Sequence, residues 1–152
     1  MSDNEFEQTE EVAASAPMGS DFEVAFSMHA DTPLERSFDK AEHWLKSGVK
    51  PNDIYLEDRK IGVINFRKVM RDPLLIQAGV DRFIDFRCSL TMSNSDVDAV
   101  FSSVCYYDAE DSEPTYINQY DPELNSIKEV LNMVSNNLFT YLQKPLLRTD
   151  GN

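Results

Sequence analysis

Cysteine is nearly missing from this chain. Only Cys88 and Cys105 occur among 152 residues, too few for a disulfide framework and without the C-x-x-C spacing of a zinc or redox site. Both read as buried small hydrophobes. Glycine is scarce as well, and five residues supply neither a Gly-rich phosphate loop nor a nucleophile elbow. The two histidines, His29 and His43, stand at no recognised ligand spacing to each other or to the cysteines, so no metal and no other cofactor is expected. No apolar run approaches the roughly 18 residues of a membrane span. The opening MSDNEFEQTEEV also lacks the charged-then-apolar pattern of a secretory leader. As written, the chain is expected to be soluble and cytoplasmic.

Positive charge is the other shortage. Lys and Arg number 14 against 27 Asp and Glu, a net charge of −13 that is unevenly spread. Residues 1–35 hold nine acidic side chains and no Lys or Arg; residues 36–87 hold eleven basic and eight acidic; residues 88–152 hold ten acidic and three basic. Nucleic-acid binding sets several Lys or Arg against phosphates and releases their counterions, so this balance argues against DNA or RNA. A basic protein is the partner it favours. What the chain does have is an ordinary hydrophobic share, 41%, with 11% aromatics, enough for one core at this length. One domain over residues 21–145 is expected, between a disordered acidic tail at 1–20 and a disordered C-terminus at 146–152.

The tail, MSDNEFEQTEEVAASAPMGS, carries no sustained apolar period. Alternation begins with Phe22, Val24, Phe26 and Met28 opposite Glu23, Ala25, Ser27 and His29, a half-buried strand. Thr32, Pro33 and Glu35 then read as a capping box with proline at the first helical position. Leu34, Phe38, Ala41, Trp44 and Leu45 follow at helical spacing, and Gly48 stands where a left-handed terminator belongs. Phe38 and Trp44 are core residues on that spacing. Residues 54–57 and 61–70 form a hairpin across Asp58, Arg59 and Lys60, with either Ile61 and Val63 or Ile64 and Phe66 on the buried face. A loop around Asp72, Pro73 and Gly79 leads on.

From Phe83 the alternation is strong. Ile84, Phe86, Cys88, Leu90 and Met92 oppose Phe83, Asp85, Arg87, Ser89 and Thr91; after a turn at residues 93–96, Ala99, Phe101, Ser103, Cys105 and Tyr107 oppose Val100, Ser102, Val104 and Tyr106. A hairpin centred on Asn94 and Ser95 puts Cys88 opposite Phe101 and Cys105 opposite Ile84, about 13 Å apart at strand rise, which leaves the thiols free. An acidic loop spans residues 108–121. Asp121 and Pro122 open a second helix with a stripe of Ile127, Val130, Leu131, Val134, Leu138, Tyr141 and Leu142, stopped by Pro145. The fold class is therefore α+β: strand, helix, four strands, helix, with an antiparallel sheet and two helices packed on one face.

The words LERSFDKAEHWL, DIYLEDRKIGVINF, IDFRCSLTM and VDAVFSSVCYY, spread over residues 21–143, resemble a bacterial domain of unknown function with a TATA-binding-protein-like fold. The resemblance implies the same strand, helix, four-strand, helix order. It brings no family activity and no catalytic residues. Since that family is known mostly from secreted proteins, the resemblance would allow secretion if the chain is a processed form.

Candidate sites follow from what is left exposed. The expected register sets Phe83 beside Tyr106, Asp85 beside Val104 and Arg87 beside Ser102 on the open side of the sheet. Aromatic, apolar and Arg side chains together are what interface centres favour. Phe83, Arg87, Val104 and Tyr106 are thus one candidate surface, and Asp108, Glu110, Asp111 and Glu113 of the acidic loop are another. That loop lacks the Gly-containing twelve-residue calcium pattern and reads as solvated. Ser37 and Lys40 match an S-x-x-K string, but the companion motifs of that enzyme class are missing. A non-enzymatic module engaging another protein is the expected function, with an ordinary exposed sheet face or a homodimer contact through it as the plainer alternatives. The rivals are an acidic inhibitor mimicking nucleic acid against a basic protein, and an enzyme whose cleft gathers carboxylates such as Asp85 with a histidine.

Overall fold

Segments with period-two alternation pair edge to edge and bury one side against two helices. The computed structural model describes residues 22–108 and 112–143. In chain order these form β1 (Val24–His29), α1 (Leu34–Lys46), a single 3-10 turn at Pro51–Asp53, β2 (Ile54–Asp58), β3 (Val63–Arg71), the short α2 (Pro73–Ile76), β4 (Phe83–Met92), β5 (Asp96–Tyr107), β6 (Thr115–Tyr116) and α3 (Leu124–Gln143). The sheet is antiparallel throughout, in the order β1-β5-β4-β3-β2. β6 pairs with Cys105 and Tyr106 of β5, continuing the edge that β1 occupies along residues 96–101. The expected tail, C-terminus and Pro145 stop lie outside the described residues.

The core lies between the sheet and the helices. Phe38, Ala41 and Leu45 of α1 and Ile127, Val130, Leu131, Leu138 and Leu142 of α3 meet Ile64, Phe66, Ile84, Phe86, Leu90, Ala99 and Phe101 of the strands. Phe86 and Phe101 meet edge to face at 5.1 Å between centroids. The open choice on β3 resolves to Ile64 and Phe66 inside, while Ile61 sits exposed in the turn. Trp44 is partly buried at the margin of the core.

Local details depart from the sequence reading in four places. The capping box at Thr32 does not form: no side chain of its own segment caps α1, and the Leu34 amide instead donates to Asn94 Oδ1 at 2.7 Å, from the β4–β5 turn. Gly48 is not left-handed; Ser47 ends the helix in right-handed geometry, and the positive-φ glycines are Gly62 and Gly79. The loop after β3 contains α2, capped by Asp72, whose Oδ1 accepts the Leu74 amide. The acidic loop contains β6, after which the fully buried Ile117 donates its amide to the Val104 carbonyl at 3.0 Å.

The largest departure is a bulge. β4 and β5 pair as expected from Met92↔Val97 to Arg87↔Ser102, and then the register slips by one residue so that Asp85 faces Cys105, Ile84 faces Tyr106 and Phe83 faces Tyr107. Ser103 absorbs the extra residue with φ 50°. Every side chain beyond it changes side. Val104 enters the core, fully buried, and Tyr106 packs against it, while Cys105 and Tyr107 turn outward.

Substitutions at two positions test this backbone. A Cβ at Gly62 (φ +74°) would lie 2.3 Å from the Met92 carbonyl oxygen and 2.7 Å from Leu34 Cδ1. Gly62→Ala should therefore cost about 2 to 4 kcal/mol in urea unfolding. At the bulge, Ser103→Val should cost about 1 to 2 kcal/mol while Ser103→Gly is neutral or stabilising. Equal stability of the two Ser103 variants would mean that the positive φ is not present in solution.

Candidate functional site: the open face of the sheet

On the side of the sheet away from the helices, register brings together residues from three strands, β5, β4 and β3. One row runs Ser102, Arg87, Arg67; the next runs Cys105, Asp85, Val69; the last runs Tyr107, Phe83, Arg71. Arg87 and Arg67 thus sit directly opposite each other, a like-charged cross-strand pair that is unfavourable by itself. Asp85 relieves one of the two. Its oxygens accept from Arg67 Nε at 2.9 Å and Nη2 at 2.6 Å, a bidentate pair that raises the already high guanidinium pKa. Arg87 has no carboxylate partner among the described residues. Its guanidinium lies over the Tyr55 ring at 5.1 Å and remains exposed, and Tyr55 is itself 48% exposed.

Aromatic surface flanks the charges. Phe83 and Tyr107 stack at 5.6 Å, and Val69, 40% exposed, lies two residues beyond Arg67 on β3. Arg71 pairs with Asp81, so Arg87 is the cation of this patch whose donors are uncommitted to a carboxylate. The opposite end of the same face is acidic: Asp98 accepts from the Ser27 hydroxyl at 2.6 Å, and Asp96 lies 3.3 Å from His29 Nδ1.

Of the expected surface, Phe83 and Arg87 do lie on this open face. Val104 and Tyr106 do not, because the bulge at Ser103 turns both toward the helices. Tyr106 is a packing residue there: its hydroxyl contacts both Asp121 carboxylate oxygens at 3.2 and 3.3 Å, and Arg82 stacks over its ring at 4.8 Å while donating to Glu123 Oε1 at 2.8 Å. In the acidic loop, Asp108 is exposed and 3.9 Å from Arg82 Nε, Glu113 is exposed, and Glu110 and Asp111 lie outside the described residues. The open face therefore substitutes Tyr107 for Tyr106 and adds Tyr55, Arg67 and Val69. Neither tyrosine was legible in the sequence: the side of Tyr55 depends on the register shift between Ile54 and Leu56, and that of Tyr107 on the bulge at Ser103. Asp85 is bound by Arg67 rather than by a histidine, and Ser37 of the S-x-x-K string is buried, 1% exposed.

The antiparallel sheet with two long helices on one side has solved counterparts. A DUF4468 family protein from Bacteroides ovatus superposes with a TM-score of 0.60 at 11% identity, covering 95% of this chain and 99% of that one. A TBP-like protein from Parabacteroides distasonis gives a TM-score of 0.60 at 14% identity, covering 87% of this chain and 98% of that one. The fold is TATA-binding-protein-like. No family model matches the chain, and no curated protein does. At these identities the likeness to solved structures establishes the fold of the TATA-binding-protein-like domain and nothing about what it binds. No helix among the described residues is long and apolar enough to cross a membrane.

Both thiols are free and buried. Burial pushes the Cys88 pKa up, and burial followed by the Asp85 charge pushes Cys105 up to about 11. Neither thiol ionises near neutrality, so native protein at pH 8 should react with Ellman's reagent only after denaturant is added. Because the fold favours the neutral Cys105 thiol, its contribution to stability is present below the ordinary cysteine pKa of roughly 8.5 and fades as pH rises toward 11. Rapid labelling of native protein at pH 8 would contradict the burial of both groups.

Proposed function

We propose that this domain is a non-enzymatic protein-binding module whose open sheet face, centred on Arg87, takes a carboxylate-bearing partner protein. One observation carries the reading: Arg87 is exposed over Tyr55, opposite Arg67 in register, and the carboxylate nearest to both strands is already committed to Arg67. A carboxylate from a partner would occupy the free donors of Arg87 and at the same time screen its repulsion with Arg67. Phe83 and Tyr107 beside it offer the apolar and aromatic area that interface centres use. Burial of these rings on association would exclude water from the ion pair and strengthen it.

The rival reading draws on the net charge of −13, under which the acidic segments would occupy a basic groove. The two make opposite predictions for the same experiment. Proteins of the source cell captured on immobilised wild-type domain are compared with those held by Arg87→Glu, by Phe83→Ser and by the loop variant Asp108→Asn/Glu113→Gln. At least one partner should weaken by about tenfold or more on Arg87→Glu and on Phe83→Ser while persisting with the loop variant. Loss of every partner with the loop variant, together with survival on Arg87→Glu, would favour acidic mimicry. Capture of single-stranded nucleic acid through Phe83 and Tyr107 would overturn the choice of a protein partner. If the partner is a second copy, sedimentation of wild type should reveal a dimer that Arg87→Glu abolishes.

A further inference from the structure

On the helix side of the sheet, well away from Arg87, the last turn of α1, the middle of α3 and the end of β3 enclose a cavity of about 300 Å³ that opens to solvent. Its walls are mostly apolar: Trp44, Met70, Pro73, Met133 and Val134. The Trp44 indole N–H donates to Asn137 Oδ1 at 2.8 Å, which pins the ring as a wall between the two helices, and its other side meets Phe66 edge to face at 6.3 Å. Into this apolar space β3 sends one charge. Lys68 lies on the same side of its strand as Ile64 and Phe66, and its ammonium donates to the Gly48 carbonyl oxygen at the end of α1.

An ammonium carries three donors, and a single carbonyl is the acceptor found for this one. No carboxylate lies within ion-pair distance of Lys68 among the described residues; Asp53, which borders the neighbouring hollow, makes no pair with it. Burial lowers its pKa, the direction expected of an ammonium desolvated without an anionic partner. A partly buried ammonium at the solvent-open wall of an apolar cavity leaves its other donors to water or to an anionic ligand.

We propose that this cavity binds a small amphipathic monocarboxylate, its carboxylate on Lys68 and its hydrocarbon or aryl body against Trp44, Met70 and Met133. The charge argues for a monoanion: one point charge with two free donors matches one carboxylate, whereas a phosphate dianion would find no second cation on the apolar walls. The size argues for a small body, since about 300 Å³ is the lower end of the range for small-molecule pockets. This site is independent of the Arg87 face and lies across the sheet from it.

Trp44 is the sole tryptophan of the chain, so tryptophan fluorescence arises from a wall of this cavity. The probes are octanoate and 3-phenylpropionate, each with its neutral amide as control, titrated into the full chain. Both carboxylates should change Trp44 emission saturably, and the amides should bind at least tenfold more weakly. Lys68→Met should remove the preference for carboxylate over amide. Met133→Glu, at a 43% exposed position that tolerates charge, should weaken the carboxylates at least tenfold while circular dichroism stays unchanged. Amide shifts in nuclear magnetic resonance spectra should cluster on α1, α3 and the end of β3. The proposal is overturned by the absence of a saturable response up to the solubility of the probes, by equal binding of acid and amide, or by full carboxylate affinity in folded Met133→Glu protein. A response that instead maps to the strands around Arg87 would also overturn it and leave the sheet-face reading untouched.

Discussion

Ser103 takes a backbone conformation, φ 50°, that costs an L-residue about 1 to 2 kcal/mol, and the far half of the sheet is arranged around it. Such a conformation persists only where its surroundings repay it. Here the repayment is visible in what the extra residue does: it carries Val104 into the core and lets Tyr106 reach Asp121 at the start of α3. Without the bulge, strict alternation would send Cys105 inward and leave Val104 on the open face. The chain instead keeps an apolar residue opposite the helices at each end of a twelve-residue strand, and β6 and Ile117 complete the edge just where the strand has bent.

The same bulge decides which chemistry faces outward. It brings Tyr107 beside Phe83 and puts the Cys105 thiol beside Asp85, where the unslipped register would place Val104. A small side chain there leaves Asp85 free to reach across to Arg67 on β3. That bidentate pair in turn leaves Arg87 without a carboxylate. The exposed guanidinium over Tyr55 is thus the last link of a chain of local causes that begins at a strained serine, the neighbour of Arg87's own cross-strand partner Ser102.

Much of this architecture is legible in the residues, and the parts that are not share one physical reason. Alternation from Phe83 to Met92 and the stripe of α3 report the burial of whole elements, a sum over many side chains that no single contact can override. The centre of the β4–β5 hairpin follows from its turn residues for the same reason, which is why Cys88 does face Phe101. A bulge, by contrast, is one residue whose conformation is chosen by tertiary packing, and Ser103 carries no glycine or asparagine to announce it. The cap of α1 is similar. Thr32 and Glu35 have the right spacing for a local box, yet Asn94, sixty residues away, supplies the acceptor because the turn is already held beside the helix by β1 and β5. Val104 and Tyr106 were misplaced by a parity argument that holds for a regular strand and fails after the slip.

Net charge describes this chain only coarsely, because a single value averages over faces that the fold separates. The acidic excess of the chain as a whole sits with a cluster of four arginines on or beside one end of the sheet, three of which are held by Asp81, Asp85 and Glu123. On β3 the alternating pattern interleaves Arg67 and Arg71 with Lys68, and register sends the first two to the open face and Lys68 to the helix side. Two adjacent cations therefore reach different environments: Arg67 meets a carboxylate in a polar row, while Lys68 meets a lone carbonyl in an apolar cavity. The pairing that satisfies one was never available to the other, since the sheet lies between them. A composition of −13 does not describe the surroundings of a single cation, and Arg87 over Tyr55 and Lys68 beside the Gly48 carbonyl are two such local exceptions.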